Sequence, residues 1–183
     1  SLLSYSNHGY GLLGYIASYV TKEAFPDFMR SRIFANLGMR NSTFAPHDAE
    51  DPVIKRMNAA KGRKNDLHRV QNHRRPYRGT PYTLLEPMYI TNLPAGSLLS
   101  TAADMAQFAI AHINDGKSSD GTNNILQPWN IKRMHEKAYS NHPKVEGMAI
   151  GFFERRMPGN VQMVAHAGDT YGQSSMLALF PDD

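Results

Sequence analysis

The sequence predicts an α+β fold in which a helical region precedes an antiparallel sheet. Apolar residues recur at helical spacing in the first 40 residues and again after Leu98. After Gly147 the pattern changes to short apolar runs that turn-forming residues separate. Because elements of one kind are grouped before those of the other, this order favours α+β over a doubly wound parallel sheet.

The composition is that of a globular chain with enough apolar residues for a core. The 183 residues are 41% hydrophobic and 20% charged, which excludes collagen-like, mucin-like and wholly disordered chains. Cysteine is absent, so disulfides, thiolate zinc sites and a cysteine nucleophile are excluded. No apolar run approaches the length of a membrane span, and the first five residues lack a basic leader. We therefore expect neither a membrane span nor a secretion signal within these residues.

Two helices are predicted before Gly38. The first extends from Tyr10 to Val20, after a turn at Tyr5-Ser6-Asn7. Its apolar face is formed by Leu13, Ile16, Ala17 and Val20. The second has Pro26 in its first turn and ends at Gly38, which suits a left-handed termination. Its apolar face is formed by Phe28, Ile33, Phe34 and Leu37.

The stretch from Asn41 to about Pro94 is predicted to be mostly irregular surface structure, with a weak helical candidate between Asp48 and Ala60. Within it, residues 55–78 hold nine Lys or Arg and one acid, a charge of +8. The remainder has 11 bases and 15 acids, or −4. We expect a solvated basic insertion; electrostatic attachment to nucleic acid or an anionic surface polymer is the weaker alternative.

Two further helices are predicted after Leu98. Ser100 or Thr101 caps the first, and Asp104 favours its positive N-terminal end. One face of that helix is formed by Met105, Phe108, Ala109 and His112, and Asp115-Gly116 ends it. The second helix starts near Pro128, and we expect it to direct Trp129, Ile131 and Met134 toward a core.

Three strands are predicted at the end of the chain. They are Met148 to Arg155, Val161 to His166 and Ser174 to Phe180. Turns at residues 158–160 and 168–172 separate them closely enough for antiparallel hairpins.

Two short motifs carry chemistry: Tyr5-Ser6-Asn7 before the first helix, and His166-Ala167-Gly168 where a strand meets a turn. Between them lie Leu12-Leu13-Gly14, Ile33-Phe34-Ala35-Asn36-Leu37-Gly38-Met39 and Pro94-Ala95-Gly96-Ser97-Leu98-Leu99-Ser100-Thr101-Ala102-Ala103-Asp104-Met105. In this order the segments resemble the serine β-lactamase and penicillin-binding-protein superfamily, particularly its class C β-lactamase-like branch of esterases and D-amino-acid peptidases. The resemblance covers nearly the whole chain and implies a β-lactamase/transpeptidase-like fold with acyl-enzyme chemistry.

The resemblance implies roles for five residues. Tyr5 is the implied proton shuttle, which accepts the proton of a nucleophilic serine as phenolate or through a lysine. Asn7 orients that lysine and the substrate carbonyl, and His166 hydrogen-bonds the substrate or sets the proton affinity of Tyr5. Gly168 permits close approach of the backbone, and the backbone N–H of Asp169 is one of two oxyanion donors.

The nucleophile motif of the superfamily, S-x-x-K, is absent from these 183 residues, as is G-x-S-x-G. In the superfamily S-x-x-K precedes Y-x-N. We therefore expect residues 1–183 to be part of one β-lactamase-like domain whose N-terminal, nucleophile-bearing part is absent, which leaves the chain alone inactive. Within it we expect a mainly helical region at 1–146, which includes the basic insertion, and the sheet strands at 147–183.

The third motif departs from the K-T-G of many relatives. His166-Ala167-Gly168 lacks the lysine that would bind the carboxylate of a β-lactam or peptide. The resemblance therefore leaves an ester or a D-amino-acid amide as the more open substrate class, beside a β-lactam.

The motifs also have structural interpretations. Asn7 suits a helix N-cap with Tyr5 packed on the helix, and His166 suits a hydrogen-bonded histidine near a strand end. A catalytically silent relative that binds peptidoglycan-like ligands or a protein partner is the alternative to an enzyme.

The expected partner is a small-molecule or peptidoglycan-like substrate, with no nucleic acid. We expect no cofactor and no metal, because the eight histidines form neither H-x-x-x-H nor H-E-x-x-H pairs. The resemblance implies an extracytoplasmic location, with any membrane anchor outside this chain.

Overall fold

A computed structural model describes residues 4–59, 73–74, 79–85, 89–170 and 172–181. The helices are α1 (Asn7–Thr21), α2 (Phe25–Met29), a π-helical turn (Arg30–Phe34), α3 (Ala35–Leu37), α4 (Pro52–Ala59), α5 (Ala102–Ile113) and α6 (Pro128–His135). The strands are β1 (His73–Arg74), β2 (Thr83–Leu84), β3 (Phe153–Arg156), β4 (Gln162–Thr170) and β5 (Gln173–Leu179). A short 3₁₀ turn (Pro158–Asn160) joins β3 to β4. The predicted α+β class, with helices before an antiparallel sheet, is confirmed.

Ser6 caps the N-terminus of helix α1, which begins at Asn7. Ser6 is extended (φ −140°, ψ 107°), and its Oγ accepts a hydrogen bond from the Gly9 N–H at 3.1 Å. The helix is confirmed, whereas the structural interpretation of Asn7 as its N-cap is wrong. A serine hydroxyl reaches the N–H three residues on, so Ser6 satisfies a free donor of the first turn and Asn7 becomes the first helical residue.

Helices α2 and α3 and the π-helical turn between them form one continuous helical segment, which ends as predicted. Pro26 lies in its first turn, and Gly38 ends it with φ 70°. The first core cluster forms where this segment packs against α5. It comprises Phe34, Leu37, Met39 and Ala111, with Met105, Phe108 and other partly buried apolar residues around them.

The middle of the chain contains more regular structure than predicted. Helix α4 occupies the later part of the weak helical candidate, and Asp51 Oδ1 accepts from the Val53 N–H at 2.8 Å at its start. Strands β1 and β2, which the pattern did not predict, pair His73 with Leu84 and Arg74 with Thr83. Residues 60–72 and 75–78 of the basic insertion lie outside the described residues, so its solvated character remains a prediction.

Helix α5 is capped as predicted, because Thr101 Oγ1 accepts from the Asp104 N–H at 3.2 Å. Helix α6 also forms where predicted, and Ile131 is buried in it. The expectation that Trp129 faces the core is wrong, since this residue is 64% exposed. At about 100° per residue, Trp129 lies about 160° around the helix from Ile131, so an eight-residue helix cannot bury both.

The sheet has the order β3-β4-β5 and is antiparallel throughout. Its buried side forms a second core cluster of Ala149, Phe152, Val164 and Leu179. The predicted first strand is shorter than expected, because Gly151 (φ 83°) turns the chain before β3 begins at Phe153. In the described part of the chain, no helix is long and apolar enough to cross a membrane.

His112 of α5 and His135 of α6 form a buried pair beside this core. His112 Nδ1 lies 3.1 Å from His135 Nε2, and the two residues are 3% and 6% exposed. The rings of Phe108 and Phe152 lie 4.6 and 5.3 Å from the His112 ring. Burial, and to a lesser degree the neighbouring His135 charge, lower the pKa of His112 to about 4.

This pair predicts a loss of stability in mild acid. Below an ordinary pKa of about 6.5 the unfolded chain protonates His112, whereas the folded chain does so only near pH 4. The unfolded state therefore binds more protons in this window. A stabilising contribution of about 3 kcal/mol, present above pH 6.5, is expected to be lost as the pH falls to 4.

Urea unfolding from pH 7.5 to 4 measures this loss. The pH dependence of the unfolding free energy is compared between two variants. The titration of carboxylates contributes equally to both and therefore cancels in the comparison. His142 is exposed, so His142→Gln should retain the wild-type pH dependence. His112→Gln should flatten it between pH 6.5 and 4. Equal slopes in the two variants would contradict the prediction.

Candidate active site

The N-terminal end of α1 and the middle of β4 meet in space. Tyr5, in the turn before α1, has its ring centroid 5.8 Å from that of His166, with the ring planes tilted by 55°. Tyr5 is 44% exposed and His166 is half-buried. The fold thus brings together two residues that lie near opposite ends of the sequence, one from each chemical motif.

Two further aromatic residues complete this contact. Tyr10 lies 5.6 Å from Tyr5 and 6.2 Å, edge-on, from His166. Phe153, the first residue of β3, lies 6.2 Å from Tyr5 and 6.1 Å from His166. We call Tyr5, Tyr10, Phe153 and His166 the aromatic cluster. Of these four residues, sequence reasoning placed only Tyr5 and His166 in the site, although Tyr10 lies only five residues after Tyr5.

The two tyrosines of the cluster differ in their surroundings. Burial, and then the charge that Tyr5 would carry if ionised, raise the pKa of Tyr10 above its ordinary value of 10. Tyr10 therefore stays protonated at neutral pH and can donate a hydrogen bond.

Asn7 is exposed in the first turn of α1, two residues after Tyr5. Its backbone carbonyl accepts a hydrogen bond from Asn92 Nδ2 at 2.9 Å. Asn92 and Pro94 belong to a turn that packs closely on α1. A Cβ atom at Gly14 would lie 2.2 Å from Pro94 Cγ, so glycine is what allows this approach.

The backbone hydrogen bonds of β3 show which backbone N–H and C=O groups of β4 point toward β3. Glu154 donates its backbone N–H to the Gly147 carbonyl at 2.9 Å, away from β4. Since alternate residues of a strand bond to opposite sides, Phe153 faces β4, where its partner is Ala165.

Among the residues that the structure describes, no strand pairs with this side of β4 beyond the Phe153–Ala165 pair, which leaves an open edge. The alternation directs the N–H groups of Ala167 and Asp169 toward the β3 side. Strand β3 begins only at Phe153, because the chain turns away at Gly151. An open strand edge next to the aromatic cluster offers backbone donors to a bound molecule.

The third motif lies within a strand, not at its end as the sequence suggested. Strand β4 continues through Gly168 and Asp169 to Thr170. A Cβ atom at Gly168 would lie 2.6 Å from Ser175 Oγ on β5, so a side chain here would require the serine hydroxyl to move. Asp169 Oδ1 accepts from Ser174 Oγ at 3.0 Å, which ties the Asp169 side chain across the hairpin. Sequence reasoning did not identify these two serines.

No group of three or more His, Asp or Glu side chains that could hold a metal occurs in the part of the chain that the structure describes. The arrangement itself offers hydrogen-bonding side chains at Tyr5, Tyr10 and His166, and backbone donors on the open edge of β4.

Comparison with known proteins connects this geometry to a family. The Beta-lactamase family model matches residues 3–183. Penicillin-binding protein 4 of Amycolatopsis lactamdurans is 30% identical over 191 residues, a match that covers 99% of this chain and 45% of that protein.

Solved structures show the same fold. The octameric penicillin-binding protein homologue from Pyrococcus abyssi superposes with a TM-score of 0.74 at 21% identity, covering 100% of this chain and 36% of that one. A class C β-lactamase from Rhodobacter sphaeroides superposes with a TM-score of 0.67 at 19% identity. The match covers 98% of this chain and 52% of that one. D-amino acid amidase from Ochrobactrum anthropi SV3 superposes with a TM-score of 0.59 at 21% identity. The match covers 96% of this chain and 49% of that one. The chain spans about half the length of these relatives or less, and it belongs to the β-lactamase family of serine hydrolases, as the order of its motifs predicted.

Proposed function

We propose that this chain forms the proton-transfer and oxyanion side of a serine hydrolase site that acts on an ester or a D-amino-acid amide. The nucleophilic serine and its lysine would come from polypeptide outside the 183 residues, since S-x-x-K does not occur in them. The contact between Tyr5 and His166 is the observation that carries this proposal, because it joins the two chemical motifs.

Tyr5, as phenolate or through the lysine, takes the proton of the serine hydroxyl as the serine oxygen attacks the substrate carbonyl. The proton then passes to the departing alcohol or amine, which leaves the acyl group on the serine. A water molecule, deprotonated by the same group, hydrolyses the acyl-enzyme. Tyr10 lies 5.6 Å from Tyr5, and its raised pKa keeps it protonated, so it can donate a hydrogen bond within the same cluster.

The remaining site residues bind and orient. The N–H of Asp169, directed to the open side of β4, suits the donor of an oxyanion hole, with the serine N–H as the second donor. Gly168 has no side chain, so a substrate can approach the backbone next to the Asp169 N–H. His166 hydrogen-bonds the substrate, and Asn7 orients the lysine and the carbonyl from the first turn of α1.

The proposed substrate class follows from the absence of a lysine in the third motif. His166-Ala167-Gly168 supplies no permanent positive charge, so a carboxylate, such as that of a β-lactam, lacks the lysine partner. D-amino acid amidase and a D-stereospecific amidohydrolase from Streptomyces share the fold, which is compatible with an amide substrate. The penicillin-binding relative supports an extracytoplasmic location and a peptidoglycan-like substrate.

A fusion tests this function. The S-x-x-K-bearing part of a β-lactamase-family relative is joined ahead of Ser1 and mixed with p-nitrophenyl acetate. We expect a burst of about one equivalent of p-nitrophenol and an acetyl adduct on the serine by mass spectrometry. The same fusion with that serine replaced by alanine is the control and should give neither. A linear release without an adduct would contradict the proposal.

A further inference from the structure

Helix α6 forms one wall of a shallow groove on the surface of the chain. The groove has a volume of about 330 Å³, at the lower end of the range of small-molecule sites. It is lined by Leu126, Trp129, Asn130, Arg133, Met134 and Ile150. We call it the Trp129 groove. None of its residues belongs to the aromatic cluster.

Helical spacing places the residues from α6 in two adjacent rows. Trp129 and Arg133 are one turn apart, about 6 Å along the helix axis. Asn130 and Met134 form the second row with the same spacing. Ile131, on the side away from the first row, is buried. One helix therefore supplies both apolar surface and polar groups to the groove.

Two segments outside α6 complete the groove, and backbone contacts hold them in place. Ile150 donates its N–H to the Met134 carbonyl at 3.1 Å, which attaches the loop before β3 to the end of α6. The carbonyl of Leu126, ahead of the helix, lies so close to Gly116 that a Cβ atom there would collide with it. Since both contacts exist in the folded chain itself, a ligand meets a groove that is already formed.

The apolar part of the groove is open to solvent. Trp129 is 64% exposed and Ile150 is 44% exposed. A single exposed apolar side chain is common on a protein surface, but here two large ones line the same depression. The indole offers a flat apolar face on which a ring can stack. This arrangement favours a ligand that contains a ring.

The polar part of the groove carries a positive charge. Arg133 is exposed, and no acidic side chain is among the lining residues. The ion pairs among the described residues use other bases, namely Arg30, Arg32, Lys55, Lys137 and Arg156. A guanidinium binds a carboxylate through two parallel N–H bonds, and the amide of Asn130 can both donate and accept. The charge therefore favours an anionic ligand.

We propose that the Trp129 groove binds a small carboxylic acid that carries a ring. The ring stacks on Trp129 beside Ile150, while the carboxylate pairs with Arg133 and Asn130. The volume suits one ring with a short acid arm, and a single lining cation suits a monoanion, since a polyanion would need several. Aromatic acids and sugar acids share this chemistry. The site does not rest on the proposed function, because it uses neither a nucleophile nor Tyr5.

Titration of the 183-residue chain tests the proposal. Trp129 is the only tryptophan in the sequence, so its fluorescence reports on the groove. The probes are phenylacetate for the aromatic acids and N-acetylmuramic acid for the sugar acids. Their neutral partners, which lack the carboxylate, are phenylacetamide and N-acetylglucosamine. We expect saturable binding of at least one acid with a Kd of about 1 mM, and at least tenfold weaker binding of its neutral partner.

Substitutions separate the ring contact from the charge. Arg133→Gln should weaken binding of the acid at least tenfold and leave that of the neutral partner unchanged, because it removes only the charge. Trp129→Ala, followed by saturation-transfer NMR of the ligand, should weaken both. Lys132→Gln is the matched control, since it removes the same charge from a neighbouring exposed position that does not line the groove. It should leave binding unchanged. Circular dichroism checks that each variant keeps its helices.

Each outcome decides the proposal. Binding of one acid alone supports it and identifies the ligand as an aromatic acid or a sugar acid. Absent binding of both acids overturns it, as does equal binding of the acids and their neutral partners. Equal weakening by Lys132→Gln and Arg133→Gln would also overturn it, because net charge would then account for the binding. The titration and the fusion experiment share no readout, so either proposal can fail while the other stands.

Discussion

Tyr5→Phe in the nucleophile-bearing fusion is expected to lower kcat for ester hydrolysis by about 10²–10⁴-fold, the range typical of a lost general acid–base group. The substitution removes the phenolic oxygen and keeps the ring, so the contacts of Tyr5 with Phe153 and His166 remain. Because the serine proton then has no acceptor at this position, both acylation and deacylation should slow. Stopped-flow measurement of the burst and of the steady state separates the two steps.

Tyr10→Phe is the matched control for this prediction. It removes a phenol from the same aromatic cluster, but one that is less exposed than Tyr5 and lies within α1. Because Tyr10→Phe removes one hydrogen-bond donor, it should lower kcat by about tenfold or less. If Tyr10→Phe lowers kcat as much as Tyr5→Phe, the assignment of the base to Tyr5 is wrong.

Asp104→Ala is expected to lower the free energy of unfolding by about 3 kcal/mol. Asp104 is 5% exposed, and its Oδ2 accepts from the Asn41 N–H and from Ser42 Oγ, each at 2.7 Å. Alanine leaves both donors without this acceptor, and of the two Ser42 is fully buried and Asn41 partly buried. The contact also holds the N-terminal end of α5 to the segment that follows Gly38, so the loss should extend to the first core cluster.

Asp104→Asn distinguishes the hydrogen bonds from the charge. An asparagine oxygen placed at the Oδ2 position keeps both bonds and gives up the negative charge at the helix N-terminus, a loss of about 1 kcal/mol. Glu136→Ala is the surface control and should change stability by less than about 0.5 kcal/mol. Urea unfolding at pH 7.5 measures all three variants. A loss below 1 kcal/mol for Asp104→Ala would contradict the prediction.

The helices were predictable because their signals are local. Thr101 caps α5, Pro26 lies in the first turn of α2, and Gly38 ends α3, each through contacts within a few residues. Strands β1 and β2 were missed because two-residue strands carry no periodicity. Trp129 was misplaced because hydrophobicity alone does not say which side of a short helix packs.

The candidate site was predictable only in part. The motif order pointed to Tyr5, Asn7, His166, Gly168 and Asp169, and the fold brings Tyr5 to His166. The contributions of Tyr10 and Phe153 depend on contacts between α1, β3 and β4 that are distant in sequence. The open edge of β4 depends on where β3 begins, and a single left-handed glycine determines that.

The sequence by itself determined the α+β order, the cap of α5, the glycine that ends α3 and membership in the β-lactamase family. Only the tertiary structure decided which side of α1 packs. Helical spacing reveals that Leu13, Ile16 and Val20 share a face, but it contains no information about what covers that face. Close approach at Gly11 and Gly14 lets the turn at Asn92 and Pro94 occupy the small-residue side, so the large apolar residues face outward.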